Sequence, residues 1–178
     1  MIEKYIELVY DDVSHRVGRV EKVSDWKPKK VDRVVYTSIF HYSSSILNYL
    51  ELSKAKFNQN SPTVKEYDGD LFMPYLWIDI DFKDNLVKAV NMTRAIIESI
   101  NFKYNLPYES MIIYFSGGKG FHIGIHNTVF GGEEFMTPHV KAIARNMVDD
   151  IIQGRFVVDY KIYDTTRIFR APFSRHQS

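Results

Sequence analysis

Between Ser110 and Ile125 the chain reads SMIIYFSGGKGFHIGI: two short runs of branched and aromatic residues on either side of a glycine loop. Such runs favour extended backbone and glycines permit a tight reversal, so the stretch predicts two strands, 110–115 and 120–125, joined by a turn. A third run, PYLWIDID at 74–81, predicts another strand. Between them, residues 84–104 put Leu86, Val90, Ile97 and Ile100 on one helical face and Lys88, Asn91 and Glu98 on the other. Thr137-Pro138 supplies a cap and a first-turn proline for a second helix, with Val140, Ile143, Ala144, Met147 and Ile151 as its stripe and Gly154 as its stop. RFVVD at 155–159 predicts a fourth strand. The order from residue 74 is β-α-β-β-α-β, a ferredoxin-like unit whose helices cover one sheet face. Upstream, 33–40 reads as a strand, 43–53 as a helix and 54–70 as a polar connector.

A chain of 178 residues suits one domain, or one with a small appendage. It has no cysteine, which excludes disulfides and cysteine-based zinc sites. No signal peptide and no apolar run of membrane-spanning length is present, so the expectation is a cytoplasmic protein without a membrane partner. The net charge of +1 does not advertise nucleic-acid binding, but its distribution is uneven. Residues 15–33 carry seven Lys/Arg against three acids, and residues 155–178 carry five against two. Such basic surface can meet phosphates.

Strand alternation sorts the side chains. In 74–81, Leu76, Ile78 and Ile80 are expected toward the helices, and Trp77, Asp79 and Asp81 toward the open face. In 120–126, Phe121, Ile123 and Ile125 take the core side and His122, Gly124 and His126 the open side. The topology brings Asp159 to the same edge, with the glycine loop and Lys119 beside it. Two carboxylates about 4 Å apart repel by roughly 4 kcal/mol at an effective dielectric of about 20. A shared proton offsets that; a divalent cation does so better, and all-oxygen ligation suits Mg²⁺ or Mn²⁺. Ser116, Gly117, Gly118 and Gly120 allow backbone N–H groups to approach an anion, with Lys119 as a point charge and His122 as a donor. The spacing fits neither a Walker loop nor a dinucleotide fingerprint. Arg167 and Arg170 suit phosphate oxygens. His15, His41 and His139 read as surface or core histidines, and Tyr75 and Trp77 as packing residues that could also reach a base or sugar.

Three motifs thus stand in order: WIDID with Asp79 and Asp81, SGGKGFH from Ser116 to His122, and VVD at Asp159 followed by RIFRAPFSRH. Together they resemble the archaeo-eukaryotic primase superfamily, which includes primase small subunits, primase-polymerases and the polymerase domains of bacterial end-joining ligases. The resemblance spans residues 74–176. It implies an α/β (α+β) protein in which an N-terminal α/β module, residues 1–70, accompanies an RRM-like catalytic module, residues 71–178. It implies template-directed nucleotidyl transfer from NTPs or dNTPs by two-metal catalysis with Mg²⁺ or Mn²⁺. Asp79, Asp81 and Asp159 would be catalytic metal ligands. Ser116, Gly117, Lys119, His122, Arg167, Arg170 and His176 would bind the nucleotide, Arg167 being a weaker match to the motif. Gly118 stands where eukaryotic primases have a basic residue, so more of the grip falls on Lys119. The implied partners are a single-stranded or primer–template DNA and the nucleotide. Family chains usually continue beyond the last motif. A catalytic core with a helicase or primase C-terminal region elsewhere is therefore expected.

Other readings use the same residues. A palm-type nucleotide cyclase shares the paired acids but needs neither SGGKGFH nor the arginine-rich stretch. A replication-initiator nuclease needs a differently spaced histidine pair than HIGIH. A non-catalytic nucleic-acid-binding module would be expected to lose the edge carboxylates, which are present.

Overall fold

The computed structural model describes residues 2–58, 60–83, 85–116, 120–131 and 135–175, with the backbone only at His15. In chain order these form β1 (Lys4–Tyr10), β2 (Val20–Lys22), β3 (Val35–Ser38), β4 (His41–Ser43), α1 (Ser45–Lys56), β5 (Leu71–Phe72), β6 (Tyr75–Asp81), α2 (Leu86–Tyr104), β7 (Met111–Phe115), β8 (Gly120–His126), α3 (Val140–Ile152) and β9 (Ile168–Arg170), with short 3-10 turns between. The protein mixes helices with antiparallel sheets. None of the described helices is long and apolar enough to cross a membrane. The chain divides into two compact units, one of residues 1–74, 134–140 and 164–178, the other of residues 75–133 and 141–163.

The first unit is built on a six-stranded sheet ordered β5-β4-β1-β3-β9, with β2 also paired to β1. β1 buries Tyr5, Ile6, Glu7, Leu8 and Val9 in succession. β3 pairs with residues 8–10 of β1, and β4 with residues 4–5. The two-residue offset between those registers falls at Ile39–Phe40, where Ser38 Oγ accepts the Glu7 N–H at 3.0 Å and donates to the Phe40 carbonyl at 2.7 Å. The strand expected over 33–40 therefore starts later and resumes after the offset. Helix α1 likewise starts and ends later than the expected 43–53.

Glu7 is a buried carboxylate inside a strand. The Arg16 guanidinium forks onto it, Nε to Oε1 at 3.2 Å and Nη2 to Oε2, and gives Nη1 to the Thr166 carbonyl at 2.6 Å. Burial pushes the Glu7 carboxyl up from its usual 4.5, and Arg16 pulls it back. His41, expected as a surface or core histidine, stands against Phe72 and has a buried Nδ1 without a hydrogen-bond partner among the described residues. Burial pushes its pKa down to about 4, with Lys4 adding to the shift, so the ring is neutral at physiological pH.

The second unit holds the sheet β6-β8-β7, all antiparallel. Helix α2 packs on β6 and β8. Its buried stripe is Ala89, Thr93, Ile96 and Ile100; of the expected Leu86, Val90, Ile97 and Ile100 only Ile100 belongs to it, and Leu86 is exposed. Small Ala89 lets the helix approach the strands, and the Thr93 hydroxyl is hidden on the Ala89 carbonyl at 2.8 Å. Helix α3 buries Val140, Ala144, Val148, Ile151 and Ile152, so Val148 replaces the expected Ile143 and Met147. Thr137 Oγ1 accepts the His139 N–H at 3.2 Å and its carbonyl the Val140 N–H at 3.5 Å, so it caps the turn that leads into α3, while its backbone bridges to Leu71.

Residues 155–159 do not form the expected fourth strand. The Asp159 N–H does donate to the Asp79 carbonyl at 2.9 Å, on the edge of β6 away from β8. The next outward carbonyl of that edge, at Trp77, is taken by the Tyr163 hydroxyl. A side chain stands where a ladder N–H would be, and the chain turns into the 3-10 segment Tyr160–Ile162.

Two substitutions probe these supports. A Cβ at Gly120 would lie 1.7 Å from the Ile80 carbonyl oxygen, so Gly120→Ala should cost about 2–3 kcal/mol, read as a lowered urea midpoint. Arg16→Ala leaves Glu7 buried without its countercharge, a loss of about 3–5 kcal/mol. Because the folded pKa of Glu7 is raised, its favourable contribution is complete below about 4.5 and is lost as pH rises through the folded value. Removing Arg16 raises that value further, so the loss should be larger at pH 8 than at pH 5. Equal losses at both would refute this assignment.

Candidate functional site

β6 places Leu76, Ile78 and Ile80 in the core, all nearly fully buried, and turns Tyr75, Trp77, Asp79 and Asp81 to the other face. The register sets Tyr75 opposite His126, Trp77 opposite Gly124, Asp79 opposite His122 and Asp81 opposite Gly120. The open face of the second unit thus carries the paired carboxylates and both histidines, as the alternation predicts.

Asp79 and His122 form a half-buried pair: His122 Nε2 lies 3.4 Å from Asp79 Oδ1, with the side chains 16% and 13% exposed. Asp81 is exposed at the end of the strand. Asp159 lies beside Asp79 through the backbone hydrogen bond, while its Oδ1 accepts the Lys161 N–H at 2.8 Å and caps the turn that follows. Ser116 closes the base of the glycine loop. Its N–H donates to the Gly120 carbonyl at 2.9 Å, and its Oγ accepts the Gly120 N–H at 3.1 Å. The Ser116 hydroxyl retains a proton to donate. Gly117, Gly118 and Lys119 lie outside the described residues, as does His176.

Arg167 and Arg170 belong to the first unit. The Arg167 carbonyl accepts the Ile39 N–H at 3.2 Å, and Arg170 stands in β9 opposite Tyr36 of β3. Both are partly exposed.

Among the described residues no group of three or more His, Asp or Glu side chains stands in metal-holding geometry. Asp79 leans to His122 and the Asp159 carboxylate is engaged as a cap, so the three acids share a strand edge without converging. Their chemistry suits Mg²⁺ or Mn²⁺: carboxylate oxygens are hard donors with lone pairs beyond those one hydrogen bond uses. His126 is not a ligand candidate of equal standing, since its Nδ1 accepts the Thr128 N–H at 3.3 Å and so caps a 3-10 turn.

Two residues of this region escape the sequence analysis. Tyr114 stands opposite His122 in β7 and meets Trp77, ring centroids 5.8 Å apart; alternation within SMIIYF could have found it. Trp77 lies over Gly124, where a Cβ would come within 2.5 Å of its ring, and is only 9% exposed, so it packs. Tyr75 bridges Trp77 and His126 at 5.3 and 5.0 Å. Tyr163, which donates to the Trp77 carbonyl, leaves no signal in the sequence. Burial, with smaller pushes from Tyr160 and Asp79, raises its pKa far above the ordinary phenol value, so it is a permanent donor.

A scan against protein-family models, a search of curated proteins and a search of solved structures find no match to the chain.

Tyr163 is the pin that keeps Asp159 at the strand edge. Tyr163→Phe should cost about 1–2 kcal/mol in thermal or urea denaturation and speed hydrogen exchange at the Asp159 N–H. Unchanged exchange at that amide would show that the segment is held by something else.

Proposed function

We propose that the chain is a template-directed nucleotidyltransferase of the primase-polymerase kind. One observation carries the reading: Asp79 and Asp81 stand on one face of β6, Asp159 is hydrogen-bonded to the same strand at Asp79, and the closed base of the glycine loop pairs with Asp81. Acids at the end of a strand beside an anion-binding loop are what phosphoryl transfer needs.

In this reading Asp79, Asp81 and Asp159 would hold Mg²⁺ or Mn²⁺, with Asp79 turning from His122 and Asp159 from its cap to do so, and the ion would supply Lewis acidity toward the hydroxyl and the phosphate oxygens. His122, whose Nε2 lies on Asp79 here, would turn that N–H to a phosphate oxygen once Asp79 holds the ion. Ser116 keeps the loop closed and its hydroxyl proton available to the phosphates. Lys119 adds charge to neutralise the departing pyrophosphate. The roles of Gly117, Arg167, Arg170 and His176 in binding the triphosphate rest on the sequence resemblance. The partners are a DNA template strand and an NTP or dNTP. A second reading, a nucleic-acid-binding module without turnover, is favoured by the engagement of Asp79 with His122 and of Asp159 with its turn.

Extension of a labelled primer–template with Mg²⁺ or Mn²⁺ separates the two. Template-matched products should appear, vanish with EDTA, and fall at least about 100-fold in Asp79→Asn/Asp81→Asn. A lane without primer shows whether the protein starts chains, and parallel dNTP and NTP lanes show its substrate. No product in any lane, with DNA binding intact, would establish the second reading.

A further inference from the structure

The last turn of the first unit contains an unusual residue. Residues 171–174, Ala-Pro-Phe-Ser, close on a Ser174 N–H to Ala171 carbonyl bond of 3.4 Å. Proline is second and Phe173, third, has φ +64°. That is the position of a type II turn where glycine belongs, because a side chain there is strained. The Phe173 ring gains no burial in return: the residue is 73% exposed. Backbone strain that holds a large apolar ring in water calls for a ligand.

The turn is fixed along the basic loop of the same unit. Ala171 N–H donates to the Val35 carbonyl at 2.7 Å, Val31 bridges Ser174, and Arg175 N–H donates to the Arg33 carbonyl at 3.1 Å. Lys27, Lys29, Lys30, Arg33 and Arg175 are all exposed on this stretch. Its acids are Asp32, 3.7 Å from Arg175, Asp11, held by Arg33 at 2.5 Å, and Asp25 at the start of the loop. The five cations outnumber these three acids. Residues 26–30 carry no regular structure, and Lys27 and Lys29 stand two residues apart, about 7 Å along extended chain.

We propose that Phe173 and this basic loop form a docking track for single-stranded nucleic acid, with the lysines on successive phosphates and the Phe173 ring stacked on a base. The choice of strand as partner rests on the nucleotidyl-transfer reading. Every base offers a π-face to an exposed ring, and a flexible strand can follow a row of cations. An anionic membrane would also meet the charge. One exposed ring without an amphipathic helix, however, offers it little apolar area to bury.

The test is fluorescence anisotropy with a labelled oligo-dT 20-mer, in EDTA and without nucleotide. Its failure is thereby read separately from a failure of incorporation. Wild type should bind with an affinity that falls steeply with salt. Lys27→Gln/Lys29→Gln/Lys30→Gln should make the slope of log K against log salt less negative by about 2, at roughly 0.7 per phosphate lost. Phe173→Gly should weaken binding about tenfold with the slope unchanged, while its Tm stays level or rises because the turn is relieved. Phe173→Tyr, which keeps a π-face, should bind as wild type does. The track is refuted by any of three results: no binding of the 20-mer, an unchanged slope in the triple variant, or tighter binding to phosphatidylserine vesicles than to the 20-mer. A Phe173→Gly variant of lowered Tm, or a Phe173→Tyr variant as weak as Phe173→Gly, refutes the stacking role.

Discussion

The ladder between β6 and β8 is the constraint on which the second unit depends. Its register decides which side chains see the helix and which see the open face, and a slip of one residue would send Asp79 and Asp81 into the core. Two glycines hold it. Gly120 allows β8 to lie against the Ile80 carbonyl at a distance no side chain would permit, and Gly124 makes room for Trp77. Once those approaches are made, the Asp79–His122 pair and the closed base of the glycine loop follow from the same alignment.

The first unit is held differently. Its central strand carries a carboxylate into the core, and the charge is tolerable because a guanidinium meets it with two hydrogen bonds. Arg16 also reaches the Thr166 carbonyl, and the Tyr42 hydroxyl donates to Thr165, so β1 and the stretch before β9 are joined by polar bonds inside an apolar core. Such bonds are strong where water is excluded and costly when one partner is missing.

Several elements were legible residue by residue. The alternation in PYLWIDID and GFHIGI assigns the faces of β6 and β8 as the fold has them, since each strand has one face on a helix and one off it. Helical periodicity located α2 and α3 and found Ile100, Val140, Ala144 and Ile151 in their buried stripes, but it missed Ala89 and Thr93, because a slot for them depends on how near the sheet lies. β1 escaped notice because KYIELVY has Glu7 in its middle, and only Arg16, nine residues on, makes that position a core one. β9 is three residues long and exists by pairing with β3, far away in sequence. The fourth strand failed because Tyr163 takes the carbonyl that a strand would have used.

From its residues alone the chain determines a mixed fold without cysteine chemistry, a hairpin about a glycine loop, and two acids on one face of a strand. Those are consequences of local alternation and backbone freedom, which need only near neighbours. Tertiary structure decided that Asp159 sits beside Asp79, that Asp79 leans on His122, that Glu7 is buried with Arg16, and that Phe173 is strained and exposed beside the basic loop. Each of these joins residues distant in sequence or fixes a backbone angle through them, and no periodicity records which distant group will supply the partner.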